Sequence, residues 1–275
     1  MTLPSRLLAL LAGLLFAAPA AAQMGSQCLA MAQAAPPSLR AAYVPDGGRM
    51  RPRPIPAAGE PVSIRFVGHA TFLITSPAGV TVATDYDGWA GPGVIPRVVT
   101  MNRAHSSHYT DTPDPRIEYV LRGWNPEGGP AKHNLQIGDV LIRNVTTDIR
   151  SWGGGTIPDG NSIFIFEMAG LCIGHLGHLH HRLAPEDLAY IGQLDVVMVA
   201  VDGTFTMAQD AVVDTLKVLK ARLVLPMHYF GTETLERFLA VLGEEFEIER
   251  SSVPEITVST ATLPKTTTVL VLPGH

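Results

Sequence analysis

The chain has 275 residues, with 20 Lys and Arg against 25 Asp and Glu, a formal charge of -5 and 46% hydrophobic residues. That much apolar chain can bury a substantial core, in one large domain or two small ones. The mild acidity and the lack of basic clusters argue against nucleic acid as the main partner.

The N-terminus follows the secretory pattern. Arg6 is a short basic start, Leu7 to Ala18 an apolar run, and Ala20-Ala21-Ala22 a small-residue cleavage site before Gln23. Residues 1–22 are therefore expected to be a signal peptide. The run is too short for a stable membrane span, and the address is periplasmic or secreted. Residues 23–60 read as an arm or linker with one short helix over Ser26 to Gln33. Arg49 to Pro56 is extended because each Pro fixes its own φ and disfavours helix before it. Only Cys28 and Cys172 occur. An oxidising compartment permits a disulfide, but sequence sets no proximity. Cys172 lies in an apolar strand, where a buried free thiol is expected.

The main domain is expected over 61–275. Val62 to Val67, Thr71 to Ile74 and Val80 to Thr84 alternate apolar and polar residues between turns, the pattern of consecutive hairpins. Val98-Val99-Thr100 is a short buried strand that leads into Arg103-Ala104-His105-Ser106-Ser107-His108. Residues 111–134 are expected to be a long surface excursion, in which His133 is solvent-exposed. Val140 to Val145 is a strand, Arg150 to Gly160 a Gly-rich loop, and Ser162 to Met168 an apolar strand. Helices are expected from Ala184-Pro185, over Ala208 to Lys220, and over Thr232 to Leu242. Strands are expected at Val196 to Val201, Leu223 to Leu225, and near 255–259 and 268–272.

The most informative stretch is Leu171 to His181, which holds four of the ten histidines in eleven residues. Three apolar strands end in His: one before His105 and His108, one before His175, His178, His180 and His181, and one before His228. If these strands are neighbours, their imidazoles meet at one sheet edge, which suits Zn, Cu, Fe or Ni.

Here the chain resembles the metallo-β-lactamase fold superfamily, in the branch of lactonase-like hydrolases related to ascorbate-phosphate lactonases. The resemblance covers roughly 62–230 and rests on Gly68-His69, Thr84-Asp85, Gly160-Asn161-Ser162, Leu171 to His181 and Pro226-Met227-His228. It implies an α/β, four-layer αββα sandwich with metal at the sheet edge.

The departures shape the site. The family's His-x-His-x-Asp-His reads Arg103-Ala104-His105-Ser106-Ser107-His108. The next family His falls near Thr147-Asp148, and the bridging Asp position is His178. Four of the seven dinuclear ligands are thus replaced. The expectation is a mononuclear site on His105, His108, His178 and His228, with one divalent ion, Zn first and Cu or Fe as alternatives. Arg103 is expected to hold a substrate anion or developing charge, and Asp202 to act as a general base or to orient a ligand. His69 and Asp85 are expected to orient the site. His175, His180, His181 and Asp148 are further neighbours or extra ligands. The reading is a hydrolase acting on a small molecule. A copper or iron redox protein and a metal-free binding relative are the alternatives. Oligomeric state stays open.

Overall fold

The computed structural model describes residues 26–32, 59–151 and 153–274. The signal peptide expected over 1–22 and the extended Pro-rich arm before Gly59 lie outside the described residues.

In chain order the elements are α1 (Gln27–Ala32), β1 (Val62–Gly68), β2 (Thr71–Thr75), β3 (Thr81–Ala83), β4 (Val98–Met101), β5 (Tyr119–Arg122), β6 (Asn134–Ile137), β7 (Val140–Arg150), β8 (Thr156–Met168), β9 (Leu171–His175), α2 (Pro185–Ile191), β10 (Val196–Ala200), α3 (Gln209–Leu219), β11 (Leu223–Met227), α4 (Thr232–Val241), β12 (Glu247–Arg250), β13 (Glu255–Val258) and β14 (Thr268–Val271). They form two sheets. One has six strands, in the order β13-β1-β2-β3-β4-β5, and the other eight, in the order β12-β14-β11-β10-β9-β8-β7-β6.

Period-2 alternation decides which side chains face where. Val62, Ile64, Phe66, Phe72 and Ile74 of the six-stranded sheet pack against Ile142, Phe164, Phe166, Ile173, Met198 and Leu225 of the other, making the core between the sheets. The opposite face of the eight-stranded sheet carries Ile163, Ile165, Val197 and Val224, and the four helices among the described residues cover it, through Cys28, Ile191, Val212 with Leu216, and Leu235 with Phe238. This is the metallo-β-lactamase sandwich. The outer face of the six-stranded sheet, with Leu73, Val99 and Met101, is covered by Tyr86, Ala90 and Ile117, which lie in loops.

The structure corrects several sequence expectations. Cys172 is not a free thiol: it is bonded to Cys28, 144 residues away in sequence. The pairing depends on the seat of α1. Glu167 of β8 accepts hydrogen bonds from Ser26 Oγ at 2.5 Å and from the Gln27 amide at 2.8 Å. Arg143 of β7 donates to the same carboxylate at 2.8 Å and to the carbonyls of Tyr190 and Ile191 at the end of α2. The arm is therefore docked on the sandwich at this point.

Residues 150–160 are not simply a loop. Pairs Arg150–Thr156 and Ile149–Ile157 close a long hairpin, and a register shift near Asp148 absorbs the break in the ladder around Pro158, which has no amide hydrogen to donate. Within 111–134, β5 pairs in parallel with β4. His133 is half-buried, donating from Nε2 to the Arg122 carbonyl at 2.6 Å. No helix among the described residues is long and apolar enough to cross a membrane.

Candidate metal centre

β3, β4 and β5 run parallel to one another, as do β9, β10 and β11. The residues just past the C-terminal ends of such strands collect at one edge, where open α/β sheets place ligands. Asp85 follows β3, His105 and His108 follow β4, His178 follows β9, Asp202 follows β10, and His228 follows β11. His69 sits in the turn between β1 and β2. Its carbonyl accepts the His228 amide at 2.7 Å, which ties the two sheets together at this edge. His69, Asp85 and His228 have φ of 51°, 39° and 55°, an uncommon conformation for non-glycine residues that clusters at functional sites.

Two histidines are braced by buried carboxylates. His108 Nδ1 lies 2.6 Å from Asp85 Oδ2, and His228 Nδ1 lies 3.1 Å from Asp202 Oδ1. Burial alone would raise Asp85. The neighbouring His175 and His108, and hydrogen bonds from His108 and Asn102, outweigh it, so Asp85 is held below the ordinary carboxylate value. Asp202 is likewise lowered. Burial opposes the shift, and hydrogen bonds from His228, Thr206 and Thr204 overcome it. Both carboxylates are ionised and accept, so both imidazoles carry hydrogen on Nδ1. Their Nε2 atoms then face each other at 3.1 Å with lone pairs. Two buried lone pairs at hydrogen-bond distance are stable only with a cation between or beside them, a proton or a metal ion.

His69, His105, His108 and His228 each offer one nitrogen, all within 4.8 Å of one another. The His178 ring centre is 4.9 Å from those of His105, His108 and His228. Burial and the neighbouring rings lower His69, His105 and His178. His69 falls to about 3 and His105 to about 4, and His178 is also lowered, so these three rings are neutral at neutral pH.

The remaining candidates take different places. His69 belongs to the ring cluster and does not merely orient it. Asp202 is buried and saturated: Oδ2 accepts the amides of Thr204, Phe205 and Thr206, while Oδ1 accepts from the Thr206 hydroxyl and His228. That is the geometry of the orienting role, and it leaves no oxygen open to act as a base. His180 touches His178 directly, with Nε2 2.5 Å from His178 Nδ1. His175 is buried as a brace, bonded to the Ala70 carbonyl and the Gly177 amide. His181 is exposed and bonds the Arg182 carbonyl. Asp148 accepts the Asp159 amide in the β7–β8 hairpin and is not one of the residues whose nitrogens cluster. Arg103 is exposed and pairs with no carboxylate among the described residues. It lines a cavity of about 400 Å³ with His105, Ile149, Arg150, His178 and Phe205.

Sequence reasoning missed four supporting residues. Ser107 replaces the family's Asp and joins His69 Nε2 at 2.8 Å to His105 Nδ1 at 2.7 Å. Asn102 donates to Asp85 Oδ1, and its own oxygen accepts the Ser162 amide. Asn161 accepts the His178 amide at 2.7 Å. Arg150 reaches His180. Asn161, in Gly160-Asn161-Ser162, carried a signal as part of a family motif; Arg150 carried none.

Known proteins resemble the chain over the same span. The family model for a beta-lactamase superfamily domain matches residues 63–228. A UPF0173 metal-dependent hydrolase of Methanoregula boonei is 24% identical over 207 residues, covering 69% of this chain and 90% of its own. A protein of the same description from Anaeromyxobacter sp. strain K is 26% identical over 231 residues, covering 70% and 81%. Among solved structures, a protein from Thermotoga maritima, assigned as a Zn-dependent hydrolase of the metallo-beta-lactamase superfamily, superposes with TM-score 0.58 and 26% identity, over 78% of this chain and all of its own.

Proposed function

The chain belongs to the metallo-β-lactamase superfamily and is a metal-dependent hydrolase, and we propose that it acts through a single ion held by His105, His108 and His228. The observation that carries this reading is the contact between His108 Nε2 and His228 Nε2 at 3.1 Å, each ring fixed from behind by a buried carboxylate. Neutral imidazoles with no thiolate nearby suit Zn. Such an ion supplies Lewis acidity and lowers the pKa of water to about 7.

The chain's own residues do the rest. Asp85 and Asp202 hold two rings with their lone pairs inward. Arg103, exposed on the cavity wall, binds a carboxylate or phosphate on the substrate. Phe205 and Phe230, with ring centres 5.5 Å apart and both exposed, add an aromatic rim beside His228. A cavity of about 400 Å³ suits a small molecule. The scissile bond is an ester, lactone, amide or phosphoester. The Cys28–Cys172 disulfide supports export, because such bonds persist in oxidising compartments.

The rival reading is a copper or iron protein without hydrolytic activity, and the group of four mutually close nitrogens favours it, since four imidazoles suit copper. Metal analysis of untagged protein, followed by assay on a panel of esters, lactones and phosphoesters, separates the two. About one Zn per chain and hydrolysis lost on chelation is the expected result. Copper with a paramagnetic signal and no hydrolysis, or hydrolysis that survives chelation, overturns it.

A further inference from the structure

We propose that His178 is a fixed hydrogen-bond donor of the site and not a metal ligand, its tautomer set from outside by Arg150 through His180. The proposal rests on the ligand set above only for its consequence; the tautomer follows from hydrogen-bond geometry alone. The backbone amide and the Nε of Arg150 both point at His180 Nδ1, at 2.9 and 3.2 Å. Both are N–H groups that can only donate. His180 Nδ1 must therefore hold a lone pair, and the ring's one hydrogen sits on Nε2. That nitrogen is 2.5 Å from His178 Nδ1, which accepts. His178 is left with its hydrogen on Nε2, the nitrogen that faces His105 Nε2 at 3.1 Å.

In the metal-free chain His105 Nε2 accepts this hydrogen, so the His105 hydrogen is on Nδ1 and is donated to Ser107 Oγ, and the Ser107 hydroxyl donates to His69 Nε2. An ion held as proposed above would take the His105 Nε2 lone pair and leave the His178 hydrogen free to face the cavity. The polarity of the whole row is decided at its Arg150 end. Arg150 cannot reverse, because it has no acceptor, and its Nη2 is held by the Thr204 and Phe205 carbonyls at 3.0 and 3.1 Å.

A metal ligand needs a lone pair aimed at the ion, and His178 aims a hydrogen instead. His178 also lines the cavity beside Arg103, so a substrate oxygen entering there meets an N–H donor from a buried ring. A preorganised donor of this kind stabilises negative charge that develops on oxygen during acyl or phosphoryl transfer. Arg150 and His180 are positioning residues. His180 touches His178, Arg150 acts on it through His180, and His178 is the residue that would meet the substrate.

The test has two independent readouts. In the metal-free full chain with 15N-labelled histidine, long-range proton–nitrogen correlation is expected to find His178 protonated at Nε2 alone. Protonation at Nδ1 overturns the proposal, whatever the metal does. In the metal-loaded protein, His178→Ala is expected to keep about one Zn per chain, with affinity within about threefold, while turnover falls about 10²-fold or more, the usual cost of losing such a donor. Loss of Zn from His178→Ala as complete as from His228→Ala makes His178 a ligand and overturns the proposal. If the unaltered protein takes up no metal, the ligand set above fails, and the tautomer measurement still decides this inference.

Discussion

The site has two sides built from the same residue type and braced by opposite charges. On one side His108 and His228 lean on the carboxylates of Asp85 and Asp202. On the other, His180 and then His178 lean on the guanidinium and amide of Arg150. A carboxylate behind an imidazole draws the hydrogen to the rear and leaves a lone pair in front. A cation behind it takes the rear lone pair and leaves a hydrogen in front. The residue in contact thus says little about ligand or donor, and the residue one step behind decides it.

The sharpest way to break the contrast is to remove a carboxylate. Asp85→Ala leaves the His108 N–H and the Asn102 amide without their buried acceptor. We expect a stability loss of about 3–5 kcal/mol by denaturant titration and metal affinity lowered about 10- to 100-fold. Unchanged affinity would remove the carboxylate side from the argument. Cys28→Ser is the control that perturbs the fold without touching either side. Breaking a bridge that closes a loop of this length should lower stability by about 2–4 kcal/mol and leave metal stoichiometry intact.

Gly177→Ala tests the seam between the two sides. Its φ is +60°, and an added Cβ would lie 2.3 Å from Asn161 Oδ1 and 2.5 Å from Asn102 Nδ2. Asn161 anchors the His178 amide and Asn102 anchors Asp85, so both braces shift together. We expect a cost of about 1–3 kcal/mol and weaker metal binding. Wild-type behaviour would show that the seam has slack.

The mildest probe is pH. His69 and His105 are held at about 3 and about 4, below the ordinary 6.5, chiefly by burial and then by neighbouring rings. The unfolded chain therefore binds protons before the folded one does. Stability is full above about 6.5 and declines as pH falls through 6 and 5 toward 4. With both rings partly exposed, the slope should stay under about 1 kcal/mol per pH unit. Thermal melts of the metal-free protein that stay flat between pH 7 and 4 would contradict it.

Much of this was legible in the letters. The alternation of Val62 to Val67, the apolar runs ending at His105 and His228, and the helical period of 208–220 and 232–242 are local signals, and the strands and helices lie there. The hairpin arm at Thr156 and the edge strand β12 were not legible. The first begins in a Gly-rich stretch and the second is exposed throughout, so neither carries the burial pattern that marks a strand.

By itself the sequence determined most of the strands and helices, the imidazoles past three strand ends and, through its resemblance to a known family, the sandwich, because periodicity and short motifs are written within a few residues. The tertiary structure alone decided that Cys28 meets Cys172, that Ser107 links His69 to His105, and that Arg150 stands behind His180. Those contacts depend on how the chain folds back on itself, over as many as 144 positions for the disulfide, and which nitrogen of a histidine carries its hydrogen depends on what lies behind the ring.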